Sequence, residues 1–319
     1  MRLAETVRLP EDRMPETPRI AVVIVTYNSA PVLAGCLESL PAGARSTGLV
    51  RVVVADNASR DESVAIAERA GATVVQVGRN AGYAAAINAG IAFLDRAGDL
   101  DRLDAVAVLN PDCRVREGAL ARLADALRAP RRGIAVPRLV TPEGHTYPSL
   151  RRAPTVRGAL AEALVGGRLA GRMWRLGEVI ADPRRYETAG RAEWATGAAM
   201  LISVPAIREL GPWDESFLLY SEETEFALRA GDRGWILWYE PGAVIEHIGG
   251  EANVNPVLAA LLTTNRVRLF RRRRGPLASS AFFMAVVLGE AVRTLVGRRT
   301  ARASLVALLR PSRRLRALP

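Results

Sequence analysis

Cysteine is nearly missing from this chain: Cys36 and Cys113 are the only two in 319 residues. Two thiols are too few for a disulfide scaffold and read as reduced groups of a cytoplasmic protein. Histidine is equally scarce, with His145 and His247 alone. Lysine is absent altogether, a bias of composition that excludes nothing by itself. No GxGxxG follows the first strand-like run and no GxxxxGKS/T occurs, which weighs against a dinucleotide dehydrogenase and a P-loop NTPase. Residues 1–18 lack the apolar core of a signal peptide and read as a polar, disordered leader. The apolar run near the C-terminus, Leu277 to Leu288, is interrupted at Glu290 and Arg293. It falls short of the roughly 20 residues a spanning helix needs, so no transmembrane helix is expected.

What is present is the composition of an ordinary soluble globular protein, 49% hydrophobic and 24% charged. A chain of this length can bury one full core with an appendage, or two cores. The net charge of +11 sits almost wholly at one end. Residues 266–319 hold 14 arginines against the one acid Glu290, whereas the first 265 carry 30 basic and 32 acidic groups. Such a tail suits an anionic partner, either phospholipid or a lipid diphosphate. Nucleic acid fits worst, because few aromatics interleave the arginines and the rest of the chain is not basic.

The chain is organised around Asp104 to Val115, DAVAVLNPDCRV. Ala105 to Leu109 is a short apolar run of the kind that forms a buried strand. Pro111 must end it, since proline cannot donate to a ladder and disfavours helix before it. Asp112 is thereby presented at the carboxyl end of a central strand, where open α/β sheets bind ligands. A carboxylate there suits Mg²⁺ or Mn²⁺; the alternative is an Asn-Pro-Asp turn without chemistry. Three more buried strands precede it: Ile20 to Thr26, Arg51 to Ala55 and Ala72 to Val77. Helices are expected between them, up to Leu40, after a Ser59–Glu62 capping box, and from Tyr83 to Ala97. Fourfold strand–helix alternation predicts a doubly wound, mostly parallel α/β sheet with helices on both faces. The strand ends carry Thr26-Tyr27-Asn28, Asp56-Asn57, Arg79-Asn80-Ala81-Gly82 and Asn110-Pro111-Asp112, a set that suits a nucleotide.

Further on, a helix is expected around Glu117 to Arg128 and a strand over Ile134 to Leu139. Residues 141–160 read as loop, with Arg151 and Arg152 either gripping phosphate or lying on a solvated surface. Ala198 to Val204 and Trp235 to Glu240 read as strands. Between them Glu222, Glu223 and Glu225 crowd a helix start, which either complements the helix dipole or raises one carboxylate pKa for proton transfer. His247 stands at a strand end before two glycines, as a core residue or as a second metal ligand beside Asp112.

Jointly, these motifs resemble the family-2 inverting glycosyltransferases of the GT-A (Rossmann-like) fold, over about Arg19 to Gly250. VTYNS at 25–29 and ADNASRD at 55–61 resemble the nucleotide-binding strand ends. Asn80, Gly82, Asn88 and Gly90 have the spacing of the family's N-x-G-x-x-x-x-N-x-G segment. Asn110-Pro111-Asp112 stands where the family carries its metal-binding DXD. Trp194-Ala195-Thr196-Gly197 and Tyr220-Ser221-Glu222-Glu223 resemble the acceptor-side loop and the catalytic Glu-Asp pair, and His247 the late metal-binding histidine. The resemblance implies Glu223 as base beside Glu222. It implies a nucleotide site of Thr26, Tyr27, Asn28, Asp56, Asn57, Arg79, Asn80, Gly82, Asn88 and Asn110, and Mg²⁺ or Mn²⁺ on Asp112 and His247. Acceptor contacts would come from Trp194, Thr196, Gly197, Trp213, Tyr220, Arg151 and Arg152. Two positions depart from the pattern: Glu223 replaces the usual Asp, and Asn110 the first Asp of DXD.

Asn110-Pro111-Asp112, the loop Glu143 to Ser149 and the basic C-terminus are similar to enzymes moving L-rhamnose from dTDP-L-rhamnose to a polyprenyl-diphosphate-linked sugar in cell-wall or O-antigen assembly. The resemblance implies a peripheral enzyme on the cytoplasmic side of the membrane, with a lipid-linked glycan acceptor. The expected organisation is the leader, a catalytic domain over 19–250 (a nucleotide half to 115, an acceptor half after it) and a basic amphipathic helical tail over 251–319. The tail helix either lies in the membrane interface or packs on the domain. Other readings are a UDP-sugar-dependent transferase of the same fold and a silent nucleotide-sugar-binding membrane scaffold.

Overall fold

β-Branched, apolar runs joined by alanine- and leucine-rich segments build the first half of the fold. They form β1 (Arg19–Thr26), α1 (Ala30–Gly43), β2 (Gly48–Asp56), α2 (Ser63–Arg69), β3 (Thr73–Gln76), α3 (Tyr83–Arg96) and β4 (Ala105–Leu109) in a computed structural model describing residues 15–173, 176–249 and 255–318. Most of the expected leader, Gly250 and the start of the expected tail at 251–254 lie outside those residues. These four strands are parallel in the order β3-β2-β1-β4.

The second half comprises β5 (Cys113–Val115), α4 (Ala119–Ala126), β6 (Arg132–Val140), β7 (Leu150–Arg151), α5 (Val156–Val165), α6 (Gly167–Met173), β8 (Gly190–Ala192) and β9 (Trp194–Ala195). It continues through β10 (Ala199–Ser203), α7 (Val204–Leu210), α8 (Glu222–Asp232) and β11 (Ile236–His247). Here the sheet becomes mixed. β10 runs antiparallel to both β4 and β6, β11 parallel to β6, and β5 and β8 antiparallel to β11. The sheet separates two cores. Ala21, Val23 and Val25 face one, with Ile87 of α3 and Phe226 of α8; Ile20, Val22 and Ile24 face the other, with Leu33 of α1 and Leu120 of α4. Burial on both faces explains why β1 and β4 read as unbroken apolar runs.

Three local expectations change. Ser59 caps nothing, because its hydroxyl is spent on Asp56 and on the Asn28 N–H; α2 begins at Ser63, whose N–H donates to Asp61. The expected loop over 141–160 gives way to α5, with the Thr155 hydroxyl accepting from the Gly158 N–H at 2.9 Å. The apolar tail segment is longer than its sequence run. After α9 (Pro256–Arg273), α10 spans Pro276–Leu295 and α11 Arg299–Leu309. α10 passes through Glu290 and Arg293 because they pair at 2.7 Å one turn apart. By length and composition alone its 20 residues are apolar enough to cross a membrane.

The tail helices pack on α5. Phe282 is fully buried and stacks on Phe270 at 4.0 Å between centroids, against Ala159 and Val267. Burying each ring contributes roughly 1.5–3 kcal/mol. Arg266 of α9 pairs with Glu162 at 2.7 Å and Glu178 at 2.6 Å, a buried network in which removing one member strands the others.

Candidate active site

β1 and β2 end side by side, Thr26 opposite Asp56. The Thr26 hydroxyl donates to Asp56 at 2.9 Å, and Asp56 also accepts from the Ser59 N–H and hydroxyl. Asp56 is fully buried and three of its roughly four acceptor sites are filled from within the protein. It ties the two strand ends together rather than standing open to a ligand. Asn57 likewise spends its side chain on the Gly82 carbonyl and the Ala81 N–H, and Asn28 accepts from the Arg60 N–H. Tyr27 and Arg79 are exposed at this edge, with Asn80 half-buried beside them.

Asp112 and His247 do meet. The β5–β11 ladder sets His247 opposite Cys113, which brings its Nε2 to 3.4 Å from the Asp112 carboxylate. The same carboxylate accepts from the Gly249 N–H at 3.2 Å, and the Tyr147 ring meets the imidazole edge-on. Nδ1 is buried with no partner. No group of three or more His, Cys, Asp or Glu forms a metal cluster among the described residues. One carboxylate and one imidazole still fit a divalent cation that takes its remaining ligands from phosphate oxygen and water. Asn110, at the tip of β4, donates its backbone N–H to the Ala198 carbonyl and is half-buried.

α8 starts abruptly after Ser221, whose φ of 79° is left-handed. The three acids there divide. Glu225 pairs with Arg229 one turn on, a structural role. Glu222 is 2% exposed, and one oxygen each of Glu222 and Glu223 is buried without a hydrogen-bond partner. Burial, then the like charge of Glu223, raises the Glu222 pKa well above the ordinary carboxylate range. Burial raises Glu223 too, offset by backbone N–H bonds and the Arg151 charge. Such a pair retains a proton above the usual carboxylate range.

The sequence reading missed Tyr83. As the first residue of α3 it looks like a helix start, yet its hydroxyl donates to the Gly197 carbonyl at 2.6 Å. Burial, then the charges of Cys113, Glu222, Glu223 and Asp112, raises its phenol, so it stays protonated. Gly197 is small for a reason: an added Cβ would lie 3.3 Å from the Glu223 Cβ.

Several expected contacts are structural instead. Trp213 is 2% exposed, stacked on Phe226 at 4.4 Å, and is core rather than acceptor surface. Asn88 clips it there, donating to the Trp213 carbonyl at 3.0 Å and accepting from its N–H at 2.9 Å, so its amide is not aimed at a nucleotide. Trp194 is buried and donates its indole N–H to the Arg152 carbonyl. Thr196 donates to the Ser149 carbonyl, and Tyr220 sits half-buried in the turn before the glutamates. Arg151 and Arg152 do line a cavity of about 940 Å³ beside α8, with Arg184, Arg185, Arg191 and Arg273 around it.

The glycosyl transferase family 2 profile matches residues 21–183. An N-acetylglucosaminyl-diphospho-decaprenol L-rhamnosyltransferase of Mycobacterium tuberculosis is 32% identical over 240 residues, 72% of this chain and 76% of that protein. The chain belongs to glycosyl transferase family 2. A hexosyltransferase of low-salt glycan biosynthesis in Haloferax volcanii is 27% identical over 66% of this chain and 61% of its own. The GT-A fold agrees: a Pyrobaculum calidifontis mannosyltransferase solved with GDP-mannose and Mn²⁺ superposes with TM-score 0.53 at 17% identity, covering 94% of this chain and 84% of that one. GalNAc-T7, solved with UDP, GalNAc and Mn²⁺, gives 0.55 at 18%, covering 80% and 48%. This family 2 protein is therefore a glycosyltransferase with an α/β GT-A core and C-terminal helices.

Proposed function

We propose that the chain is an inverting rhamnosyltransferase moving L-rhamnose from dTDP-L-rhamnose to a polyprenyl-diphosphate-linked sugar in cell-envelope glycan assembly. The observation that carries it is the Glu222–Glu223 pair with unpartnered buried oxygens, Glu223 lying against Gly197, whose neighbour Ala198 bonds the β4 tip at Asn110, together with the Asp112–His247 pair. The rhamnosyl and lipid-diphosphate parts rest on the Mycobacterium tuberculosis relative. In the proposed reaction Glu223 takes the proton of the acceptor hydroxyl while the hydroxyl oxygen bonds the anomeric carbon. The bond from that carbon to the diphosphate breaks, and its electron pair leaves with the nucleotide. Attack opposite the leaving group inverts the carbon. Asp112 and His247 would hold Mg²⁺ or Mn²⁺, which supplies charge neutralisation to the departing diphosphate. Tyr83, held protonated, fixes Gly197 against the base, and Arg151 provides positive charge on the acceptor side.

The reading extends to placement, with residues 19–250 as the catalytic unit and 251–319 as a membrane-contacting tail. Leu277, Met284, Leu288, Val292 and Leu295 recur along one face of α10 and stay exposed, with Arg271 and Arg274 before and Arg298 and Arg299 after. That pattern suits peripheral binding to anionic lipid, each arginine adding on the order of 1 kcal/mol near the surface. The test is transfer from dTDP-L-rhamnose to a prenyl-diphospho-N-acetylglucosamine, run beside thermal stabilisation by dTDP, UDP, GDP and NAD with and without Mn²⁺. A disaccharide lipid product and metal-dependent stabilisation by dTDP are expected. A preference for UDP reassigns the donor, and stabilisation by NAD alone sinks the reading.

A further inference from the structure

The turn before the glutamates has an unusual backbone. Leu218, Tyr220 and Ser221 have φ of 63°, 68° and 79°. Residues with a Cβ avoid this left-handed region, and three in four positions persist only where neighbours impose them. One restraint is the nucleotide half: the Tyr83 N–H donates to the Leu218 carbonyl at 3.0 Å, and a Cβ on Gly82 would lie 1.9 Å from that oxygen.

The other restraint is the tail. Asn265 of α9 is 5% exposed, and its side-chain NH₂ faces the carbonyls of Phe217, Leu219 and Tyr220 at 2.6, 3.0 and 3.2 Å. Two amide hydrogens are thus shared among three acceptors. Further along the same helical face, Arg268 donates to the Ser216 carbonyl at 2.6 Å and Arg272 reaches Asp214 at 2.5 Å. Arg266 anchors the helix beneath through Glu162 and Glu178. On its other side the turn runs straight into the carboxylates, because Glu222 and Glu223 follow Ser221 as the first two residues of α8. No flexible residue intervenes between clasp and carboxylate.

We infer that α9 splints the catalytic turn, with Asn265 the positioning residue that sets Glu223 against the acceptor. The inference rests on the reading of Glu222–Glu223 as the catalytic pair and goes beyond it: the tail takes part in the chemistry as well as in any lipid contact. Asn265 touches none of the expected donor-binding residues, so its loss acts on kcat and spares donor KM.

The experiment compares Asn265→Ala and the near-isosteric Asn265→Asp with Glu223→Gln, measuring kcat and donor KM on folded protein. Both Asn265 variants lower kcat about 10- to 100-fold with donor KM within about twofold, as expected for a misplaced base. Adding Ser221→Gly to Asn265→Ala restores part of kcat, because glycine accepts the left-handed angle unaided; a residue needed only for folding would show no such rescue. If Asn265→Ala does not fold, Arg268→Ala with Arg272→Ala loosens the same face and lowers kcat several-fold. An inactive Glu223→Gln with wild-type kcat in the folded Asn265 variant, or in the arginine pair where that variant does not fold, overturns the splint alone. Wild-type kcat in Glu223→Gln overturns the base assignment and the splint with it.

Discussion

Two sets of polar residues share the ligand edge of this sheet, and they differ in what their side chains have left to give. Thr26, Asn28, Asp56, Asn57 and Asn88 spend their hydrogen bonds on one another and on nearby backbone. Glu222, Glu223 and His247 each keep a buried atom without a partner. An unpaired buried polar atom costs about 1–3 kcal/mol, so those beside the Asp112–His247 pair and the α8 start are groups a ligand can complete. On the proposed reading, the first set shapes the floor of the site and the second does the chemistry.

The comparison breaks at once if the second set is dispensable. Glu223→Gln should lower transfer by about 10²–10⁴-fold, the range of a lost general base, with thermal stability retained. Transfer assays with folded protein decide it. His247→Ala should remove about 3 kcal/mol of leaving-group stabilisation, roughly a hundredfold in rate, and abolish Mn²⁺-dependent stabilisation by the nucleotide. Chelation of the wild-type protein should give the same loss, reversed by adding metal back. From the first set, Asn88→Ala should do the opposite. It costs roughly 1–3 kcal/mol of stability by stranding the Trp213 N–H, with turnover per folded molecule barely changed. A denaturant midpoint beside kcat shows which quantity moves.

The smallest effect is one of pH. The raised Glu222 pKa means its ionised form destabilises the fold, so this stability is present at low pH and fades as pH rises through the folded pKa. Glu222→Gln removes the loss. It should raise Tm by about 2 °C, as roughly 1 kcal/mol does in a chain of this size, at about pH 8 and not at about pH 4.5. An equal change at both would show that Glu222 acts by shape alone.

These distinctions set the limits of legibility. β1 to β4 could be read because their chemistry is local: β-branched runs broken by proline, glycine and asparagine. The pairing of Asp112 with His247 could be anticipated because both stand at strand ends. The reversal at β10 could not, since Ala199 to Ser203 is apolar in either direction and only its neighbours orient it. Nor could Tyr83, whose partner Gly197 lies 114 residues away. Asn57 and Asn88 read as ligand residues because an amide offers the same groups to a nucleotide as to a carbonyl. Only the fold shows which one it meets. The tail arginines read as a uniform positive charge, whereas Arg266, Arg268, Arg272, Arg273 and Arg293 each have a private partner.

The short β5–β11 ladder has a consequence for how this gene can vary. His247 reaches Asp112 only because it is paired with Cys113, three residues into a ladder that ends there. Sliding that pairing by one position moves the imidazole about 3.3 Å along the strand and turns it to the opposite face of the sheet. Many side chains in the two strands are free to change, but a single inserted or deleted codon in either one separates Asp112 from His247. Across descendants of this sequence, length should therefore be more tightly kept than identity in the ladder, and gaps should gather in the exposed turns outside it.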